Sequence, residues 1–383
     1  MNTKQTFEQI SKKAFIVGGI GAALCAFGWW KQPEAFANAY LVAWLYVLGL
    51  TVGCFPLTMI GHLTWGGWSF VIRRTQEAVL KALPLCALLF IPVACNLRTL
   101  YIWIQPNGAD LDIQKLYLNA PFFLVRFALY FAIWIFLACK LRKHSSAQDE
   151  TPSSKTLHRL TGYGGVGLVA YAMTVTFGAF DWGMSLEPHW YSTIYGAIFG
   201  VHFTMSALAF AIIITVFLSK ENGNPMQTVL STDRLHDLGT LLFATVMLWA
   251  YTSVSQLIII WSANQPHEAA WYIHRSRGGW EILVTLIFLL QFVTPFFALL
   301  MRFVKRKAER LVKIACLILV IRWFDLIWQI KPTHYPSFNI SWLDFACWIT
   351  LGSIWLGFAL RQLANAPTLT FKQDPIWNAE DHH

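Results

Sequence analysis

The sequence predicts an all-α integral membrane protein with about ten transmembrane helices. Of its 383 residues, 56% are apolar and only 13% are charged, whereas soluble domains average about 45 to 50% and about 25%. The apolar residues gather in stretches close to the roughly 20 residues that cross a hydrocarbon layer. Because the basic residues fall in short runs between these stretches, the net charge of +9 suits the cytoplasmic membrane surface and not nucleic acid.

Ten spans follow from length and flanking charge. In chain order they run approximately over residues 14–30, 40–60, 79–95, 121–139, 162–180, 191–219, 238–261, 282–301, 311–330 and 341–360.

The basic residues also predict the orientation of the chain. With a cytoplasmic N-terminus, the inside segments hold twenty-one Lys and Arg and the outside loops hold six, in agreement with the positive-inside rule. Both termini are then cytoplasmic. Arg126 and Arg322 are left inside spans.

Two connecting segments are longer than simple turns. The outside segment 96–118 carries the turn residues Pro106, Asn107 and Gly108 and is placed to cover the bundle or contact a partner. The cytoplasmic segment 140–159 contains four serines and predicts a mobile polar linker that divides the helices into two groups.

Glycine motifs in two spans favour helix packing. Gly162, Gly164 and Gly167 match the dinucleotide fingerprint by spacing, but no strand precedes them and an apolar span follows. Gly196 and Gly200 form a G-x-x-x-G pattern, which lets two helices approach closely.

Cysteines and histidines give little support for a metal or haem site. The seven cysteines include no C-x-x-C pair, so each is expected to pack as a small apolar residue. His62 lies near the inner end of the second span and His202 near the middle of the sixth. Because these depths do not match well, ordinary hydrogen-bonded histidines are favoured over a shared haem.

Ionisable groups at membrane depth carry most of the functional information, because such groups need a partner, a water-filled cavity or a task. Arg322 and Asp325 are three residues apart and share a helix face, and Arg126 lies inside the fourth span. A structural ion pair and a role in proton movement are equally compatible with this pattern. From the cytoplasm outwards, the candidates are His62, His236 and Asp237, then His202 and Arg322 with Gln291 as a link, then Asp325, Asp181, Glu187, His189, Glu268 and Glu281.

Several of these residues have simpler explanations. Asp237 can cap a helix. Asp181, Glu187 and His189 share a loop without Lys or Arg, so contact with solvent or with a partner is as compatible with their positions as a role in proton exit. Ser255 and Gln256 are expected to hydrogen-bond to neighbouring helices. No nucleophile stands beside a base and an orienting group, so hydrolytic chemistry is not supported.

A set of specific sequence stretches between the second and the ninth span resembles a known family of membrane subunits. They are the segment from Asp181 to Thr193 (Asp-Trp-Gly-Met-Ser-Leu-Glu-Pro-His-Trp-Tyr-Ser-Thr), His62 to Trp68 with Arg73 and Arg74, Tyr117 to Phe123 leading to Arg126, Leu235 to Gly239, Trp249 to Tyr251 with Ser255 and Gln256, and Arg322 with Asp325. Through these stretches the chain resembles the ActF-type membrane subunit of alternative complex III, a bacterial quinol:cytochrome c oxidoreductase.

The resemblance implies a fold and a division of the chain. Such subunits look like relatives of the NrfD and polysulfide reductase membrane anchors, with two four-helix bundles flanked by one helix at each end. The bundles would be spans two to five and six to nine. The chain then divides into 1–37 (first span), 38–140 (spans two to four), 141–160 (cytoplasmic linker), 161–180 (span five), 181–332 (spans six to nine) and 333–383 (last span and cytoplasmic tail).

The resemblance also implies partners and cofactors. The complex would place haem c and iron–sulfur clusters in partner subunits, with a sister NrfD-like subunit binding quinol, the substrate of the complex. This chain itself would hold no redox cofactor and no metal, and a terminal oxidase is a further conceivable partner besides lipids. The segment around Glu268 departs from the pattern, because His267 stands where a second acidic residue is expected.

Three functional hypotheses remain. The first is a non-redox subunit that contributes a proton path and scaffolding. The second is a subunit that itself binds and oxidises quinol near His202 or His62. The third is a secondary transporter, which is disfavoured because Pro84, Pro92 and Pro295 do not interrupt corresponding helices in the two halves.

Overall fold

A computed structural model describes residues 3–105, 114–151, 153–221 and 223–366 of the chain. These residues form α-helices and no strand, which confirms the all-α prediction. The helices are α1 (Thr3–Lys31), α2 (Pro33–Val52), α3 (Cys54–Thr64), α4 (Gly67–Leu80), α5 (Leu83–Leu88), α6 (Ile91–Cys95), α7 (Leu97–Leu100), α8 (Ala120–Glu150), α9 (Ser154–Trp182), α10 (Tyr195–Ser219), α11 (Met226–Val229), α12 (Thr232–Ala263), α13 (Pro266–Arg275), α14 (Trp280–Ile287), α15 (Thr294–Leu300), α16 (Arg302–Lys305), α17 (Ala308–Ile330) and α18 (Trp342–Ala364).

The described helices include nine units long and apolar enough to cross a membrane, so the chain is a multi-pass membrane protein. The predicted ninth span, α17, is not among the nine, although it has 23 residues. Its apolar stretch is interrupted by Lys313, Arg322 and Asp325. Since α17 packs along α10 and α2, Arg322 and Asp325 are buried against other helices while Lys313 is exposed, and we treat α17 as the tenth span.

Three of the long units are broken or widened at a glycine or a proline. At Gly53, between α2 and α3, an added Cβ would lie 1.9 Å from the carbonyl oxygen of Phe203, so only glycine lets α10 approach this closely. Pro84 and Pro92 stand at the starts of α5 and α6, where the missing proline N–H does no harm. A π-helical turn, Phe288–Val293, joins α14 to α15 just before Pro295, since this proline offers no N–H to the carbonyl one turn earlier.

The long helices form two groups of four and one pair. The first group contains the α2–α3 unit, the α4–α6 unit, α8 and α9, and the second contains α10, α12, the α14–α15 unit and α17. The groups meet where α10 packs against α2 and α9, and α2 is buried along almost its whole length. The first and last helices, α1 and α18, pack along each other and against α2, so both flanking helices lie on one side of the molecule.

The prediction of a mobile linker over residues 140–159 is wrong. Helix α8 continues to Glu150 and α9 begins at Ser154, so the polar segment is almost entirely helical. Its buried face explains the difference, because Ser145 and Asp149 both contact Arg74 of α4. We call this side of the molecule the linker end and the side holding residues 183–194 and 264–279 the loop end. The predicted turn at Pro106, Asn107 and Gly108, and the tail residues from 367 onwards, lie outside the described residues.

Two of the three predicted glycines of α9, Gly164 and Gly167, pack against a neighbouring helix, whereas a Cβ at Gly162 would have no atom of a described residue within 4 Å. A Cβ at Gly164 would lie 3.1 Å from the carbonyl oxygen of Met59, and one at Gly167 would lie 2.6 Å from the side chain of Met59. A Cβ at Gly196 of α10 would similarly lie 2.6 Å from the Cα of Thr176. These contacts set α9 between α3 and α10 and align the polar residues described next.

Candidate functional site: buried charge clusters

Arg126 and Asp181 form an ion pair inside the first group of helices. Arg126 lies two turns into α8, and Asp181 is the next-to-last residue of α9. The guanidinium donates from Nε to Asp181 Oδ2 at 2.9 Å and from Nη2 to Oδ1 at 2.6 Å, a fork-to-fork arrangement. Both residues are buried. One alternative from the sequence was that Asp181 faces solvent or a partner, since its loop contains no Lys or Arg. This alternative is wrong, because Asp181 is buried and pairs with Arg126 from a different helix.

Two tyrosines complete this cluster. Tyr130 donates its hydroxyl to Asp181 Oδ2 at 2.8 Å, and the carbonyl of Tyr117 accepts from Arg126 Nη1 at 2.8 Å. The ring of Tyr117 lies 3.7 Å from the guanidinium carbon, a cation–π contact. Burial and the nearby Asp181 carboxylate raise the pKa of Tyr117, which lies before the first residue of α8. Every charge in the cluster therefore has an oriented partner.

A second cluster joins α10 and α17 in the second group of helices. Asp325 accepts from Arg322 on the preceding turn and from Gln329 Nε2 at 3.1 Å on the following turn. His202 of α10 brings Nε2 within 3.2 Å of Asp325 Oδ2, but this nitrogen is not aligned for a hydrogen bond. The predicted pairing of Arg322 with Asp325 is confirmed. The separate depths predicted for Asp325 and His202 are wrong, because α10 and α17 cross at these residues.

Gln291 lies beside this cluster, as its predicted linking position requires. Its side chain is fully buried in the π-helical turn and lies close to the Asp325 carboxylate. Neither its amide nitrogen nor its amide oxygen makes a hydrogen bond to a described residue. π-helical turns are frequent at functional sites, and a buried amide without a hydrogen bond calls for an explanation. The two features together make this region a candidate functional site.

The loop end is held together by Arg275, which sequence reasoning did not select. It ends α13, is 1% exposed, and donates to Glu187 Oε1 at 2.6 Å, to the carbonyl of Gln329 at 2.8 Å and to Thr333 Oγ1 at 3.0 Å. Burial lowers the pKa of Arg275 and the Glu187 carboxylate opposes that effect. Glu187 is thus a structural partner that ties the 183–194 loop to α13 and α17.

A buried Lys331–Asp344 pair joins the ends of α17 and α18 and was also missed. Lys331 Nζ lies 2.7 Å from Asp344 Oδ2, and the same carboxylate accepts from the backbone of Ser341 in a capping box. The capping-box spacing from Ser341 to Asp344 was the available sequence signal. Nearby, His334 Nε2 donates to the carbonyl of Leu100 at 3.0 Å, and burial lowers the pKa of this histidine.

At the linker end, only His62 among the predicted residues is buried. It is 1% exposed in α3, and neither ring nitrogen hydrogen-bonds to a described residue. Close by, Arg74 contacts Glu77 at 2.6 Å and also pairs with Asp149. These three charged residues form a further cluster that the sequence did not reveal, because Asp149 comes from the segment predicted to be a mobile linker.

His236 and Asp237 lie near the start of the seventh span, as predicted, but on the surface of the helix. His236 is half-exposed and Asp237 is exposed on α12, with 3.9 Å between His236 Nδ1 and Asp237 Oδ1. Asp237 does not cap the helix, because α12 begins five residues earlier, where Ser231 Oγ accepts from the backbone of Arg234. Both side chains lie at the linker-end surface and outside the buried clusters.

The remaining outer candidates lie at the loop-end surface. His189 and Glu281 are exposed and Glu268 is half-exposed, each outside the Arg275 and Arg126 clusters. Gln256 behaves as predicted, since it accepts from Ser192 Oγ at 3.2 Å and donates to the hydroxyl of Tyr272 at 3.2 Å. For Ser255 the structure gives no interhelical hydrogen bond.

A few polar side chains lie between the two ends of the first group. Along α9, Thr174 and Tyr171 follow Asp181 toward the linker end, and Trp134 donates to Thr174 at 2.8 Å. Gly164, seventeen residues before Asp181, lies against His62, which places His62 about 26 Å from Asp181 along the helix axis at 1.5 Å per residue. Hydroxyls between a carboxylate and an imidazole can pass protons with intervening water. Within the described part of the chain, no three His, Cys, Asp or Glu side chains converge to hold a metal ion.

Comparison with known proteins returned no match, either to a family model or to a curated protein.

Proposed function

We propose that this chain is the non-redox membrane subunit of a quinol-oxidising respiratory complex of the alternative complex III type, where it supports a transmembrane proton path and scaffolds the other subunits. One observation carries the proposal: two residues that the resemblance takes from distant stretches of the chain meet in the buried Arg126–Asp181 pair. Arg126 follows the Tyr117–Phe123 stretch and binds Asp181, which opens the Asp181–Thr193 stretch. Arg322 and Asp325 meet His202 in the other group.

Burial of these groups supports a proton role. A charged side chain at membrane depth is costly, and such residues often mark ion or proton pathways. In the first group, Asp181 with the Tyr130 hydroxyl lies toward one end, the unpaired imidazole of His62 lies toward the other, and Thr174 lies between them along α9. In the second group, Asp325, His202 and Gln291 form a compact set in which the imidazole and the amide have unused hydrogen-bonding capacity.

The proposal also sets location and partners. We place the chain in a bacterial inner membrane with the linker end and both termini in the cytoplasm, which the excess of Lys and Arg at the linker end supports. The loop end, with exposed His189, Glu268 and Glu281, then faces the haem c and iron–sulfur subunits. The sister membrane subunit is the neighbour that oxidises quinol, and electrons do not pass through this chain.

Affinity purification of the native chain from membranes in mild detergent tests the proposal. We expect haem c subunits, an iron–sulfur subunit and a second polytopic subunit to co-purify, with quinol:cytochrome c reductase activity and a haem c absorption spectrum in the same fraction. A colourless chain without these partners and without activity would contradict the proposal and favour the transporter hypothesis. A purification from cells that express another tagged polytopic protein controls for membrane proteins that are carried over.

A further inference from the structure

A small cavity lies toward the linker end of the first group of helices, between the end of α4, the start of α5 and the second half of α8. Its walls come from residues 77–84 and 135–142, and its volume is about 220 Å³. Sites for drug-sized ligands occupy about 300 to 1,000 Å³. The cavity is therefore large enough for the headgroup of a lipid but not for a whole lipid.

Two cations line this cavity without an acidic partner of their own. Lys81 directly follows α4 and is half-buried, and Arg142 is exposed on α8. Among the described residues, neither side chain forms an ion pair or a hydrogen bond. Two like charges in one cavity repel each other, and an anion between them would accept charge-assisted hydrogen bonds from both.

The third charged group in the wall is Glu77, whose two carboxylate oxygens have different surroundings. Oε2 accepts from Arg74 Nη1 at 2.6 Å, so the carboxylate is already paired with a cation. Oε1 makes no hydrogen bond to a described residue, although Glu77 is only 6% exposed. Buried oxygens without a donor are rare in native proteins, so Oε1 is placed to accept from a hydroxyl of a bound molecule.

The balance of charge favours a ligand with one negative charge. Arg74 pairs with both Glu77 and Asp149, so this cluster together with Lys81 and Arg142 holds three positive and two negative groups. The net positive charge complements a phosphodiester. A zwitterionic headgroup would bring an ammonium group close to two cations that already repel each other.

The cavity lies at the depth where a lipid headgroup is expected. No Asp, Glu, Lys or Arg occurs in residues 82–97 or 127–139, so the spans become apolar on the membrane side of the cavity. Leu88 and Ile91 are four and seven residues after Pro84, on the same helical face, and are 64% and 57% exposed. They offer an apolar surface to an acyl chain. Basic pockets between membrane helices on the cytoplasmic side are known binding places for anionic headgroups.

We infer that this cavity binds the headgroup of an anionic glycerophospholipid with the chemistry of phosphatidylglycerol, which combines a phosphodiester with a free hydroxyl. The phosphate accepts from Lys81 and Arg142, and the hydroxyl donates to Glu77 Oε1. One acyl chain lies along Leu88 and Ile91. The bound lipid then contacts both α5 and α8. This inference concerns the chain alone and does not depend on the function proposed above.

Native mass spectrometry of the purified full chain in detergent micelles tests the inference. We expect one dioleoylphosphatidylglycerol to bind about tenfold more tightly than dioleoylphosphatidylethanolamine. Excess inorganic phosphate should not displace it, because phosphate has no acyl chain to lie along Leu88. Lys81→Gln combined with Arg142→Gln removes both charged donors and is expected to weaken binding of phosphatidylglycerol by about tenfold or more.

A matched variant and two native thiols serve as controls. Lys143→Gln removes an exposed cation next to Arg142 on α8 and should leave the affinity unchanged. Cys139 lines the cavity and is exposed, and Cys316 is exposed on α17. Phosphatidylglycerol should slow the alkylation of Cys139 by a maleimide and leave that of Cys316 unchanged. This readout uses the native sequence, so it holds even if the double variant does not fold.

Four results would each overturn the inference. They are equal affinity for phosphatidylethanolamine, displacement by inorganic phosphate, an equal loss of affinity in the Lys143→Gln chain, and alkylation of Cys139 that phosphatidylglycerol does not slow.

Discussion

Replacement of Arg126 by Met is expected to lower the free energy of unfolding by about 3 to 5 kcal/mol, the usual result of breaking a buried ion pair. The physical reason is that Asp181 stays buried, at 1% exposure, without its cation. Asp181→Asn should also destabilise the chain, because Arg126 then lacks its carboxylate. The measurement is equilibrium unfolding of the purified chain in mixed detergent micelles.

The double variant and a surface control separate this effect from a general loss of packing. Arg126→Met with Asp181→Asn leaves no unpaired charge, so its loss should be clearly smaller than the sum of the two single losses. Lys143→Met removes an exposed cation from the same helix and should change stability by less than about 0.5 kcal/mol. An Arg126→Met chain as stable as this control would show that the pair does not hold α8 to α9.

Replacement of Arg275 by Met is expected to open the loop end. Glu187, the carbonyl of Gln329 and Thr333 each lose a donor at 2.6 to 3.0 Å, and the unpaired Glu187 carboxylate then draws in water. We expect a loss of about 3 to 5 kcal/mol and faster amide hydrogen exchange in segments 183–194 and 331–341. Hydrogen exchange followed by mass spectrometry measures both segments directly.

Two further variants define the role of Arg275. Arg275→Lys keeps the charge but cannot reproduce the planar fork that reaches Glu187 and Gln329 together, so it should exchange at an intermediate rate. Arg277→Met removes an exposed cation two residues away and should leave exchange unchanged. Equal exchange in the Arg275→Met and Arg277→Met chains would contradict the assignment of Arg275 as the residue that joins the loop end.

The sequence was sufficient for features that depend on local order. Apolar length located the spans, and the three-residue spacing of Arg322 and Asp325 predicted their contact on one helix face. The glycine spacing in α9 predicted close packing, which Gly164 and Gly167 confirm. These predictions succeed because helix periodicity is fixed by backbone geometry and needs no knowledge of the partner helix.

Contacts between distant residues were beyond the reach of the sequence. Arg126 and Asp181 are 55 residues apart, and Arg74 and Asp149 are 75 apart, so only the helix arrangement brings them together. A buried arginine such as Arg126 needs an acidic partner, but the sequence could not show which of several outer Asp and Glu residues that partner is. Beside His202 and Asp325 lies a cavity whose size and walls also could not be predicted from the sequence, because they depend on how five elements pack around these residues.

Proton release per electron, measured in vesicles that contain the proposed complex assembled with this chain, tests the central claim most directly. The Asp325→Asn complex is compared with Glu309→Gln, which alters an exposed acid on the same helix, α17. We predict that Asp325→Asn lowers the number of protons released for each electron passed to cytochrome c, while Glu309→Gln leaves it unchanged. An assembled, active Asp325→Asn complex with an unaltered proton-to-electron ratio would remove Asp325 from the proton path and contradict the account.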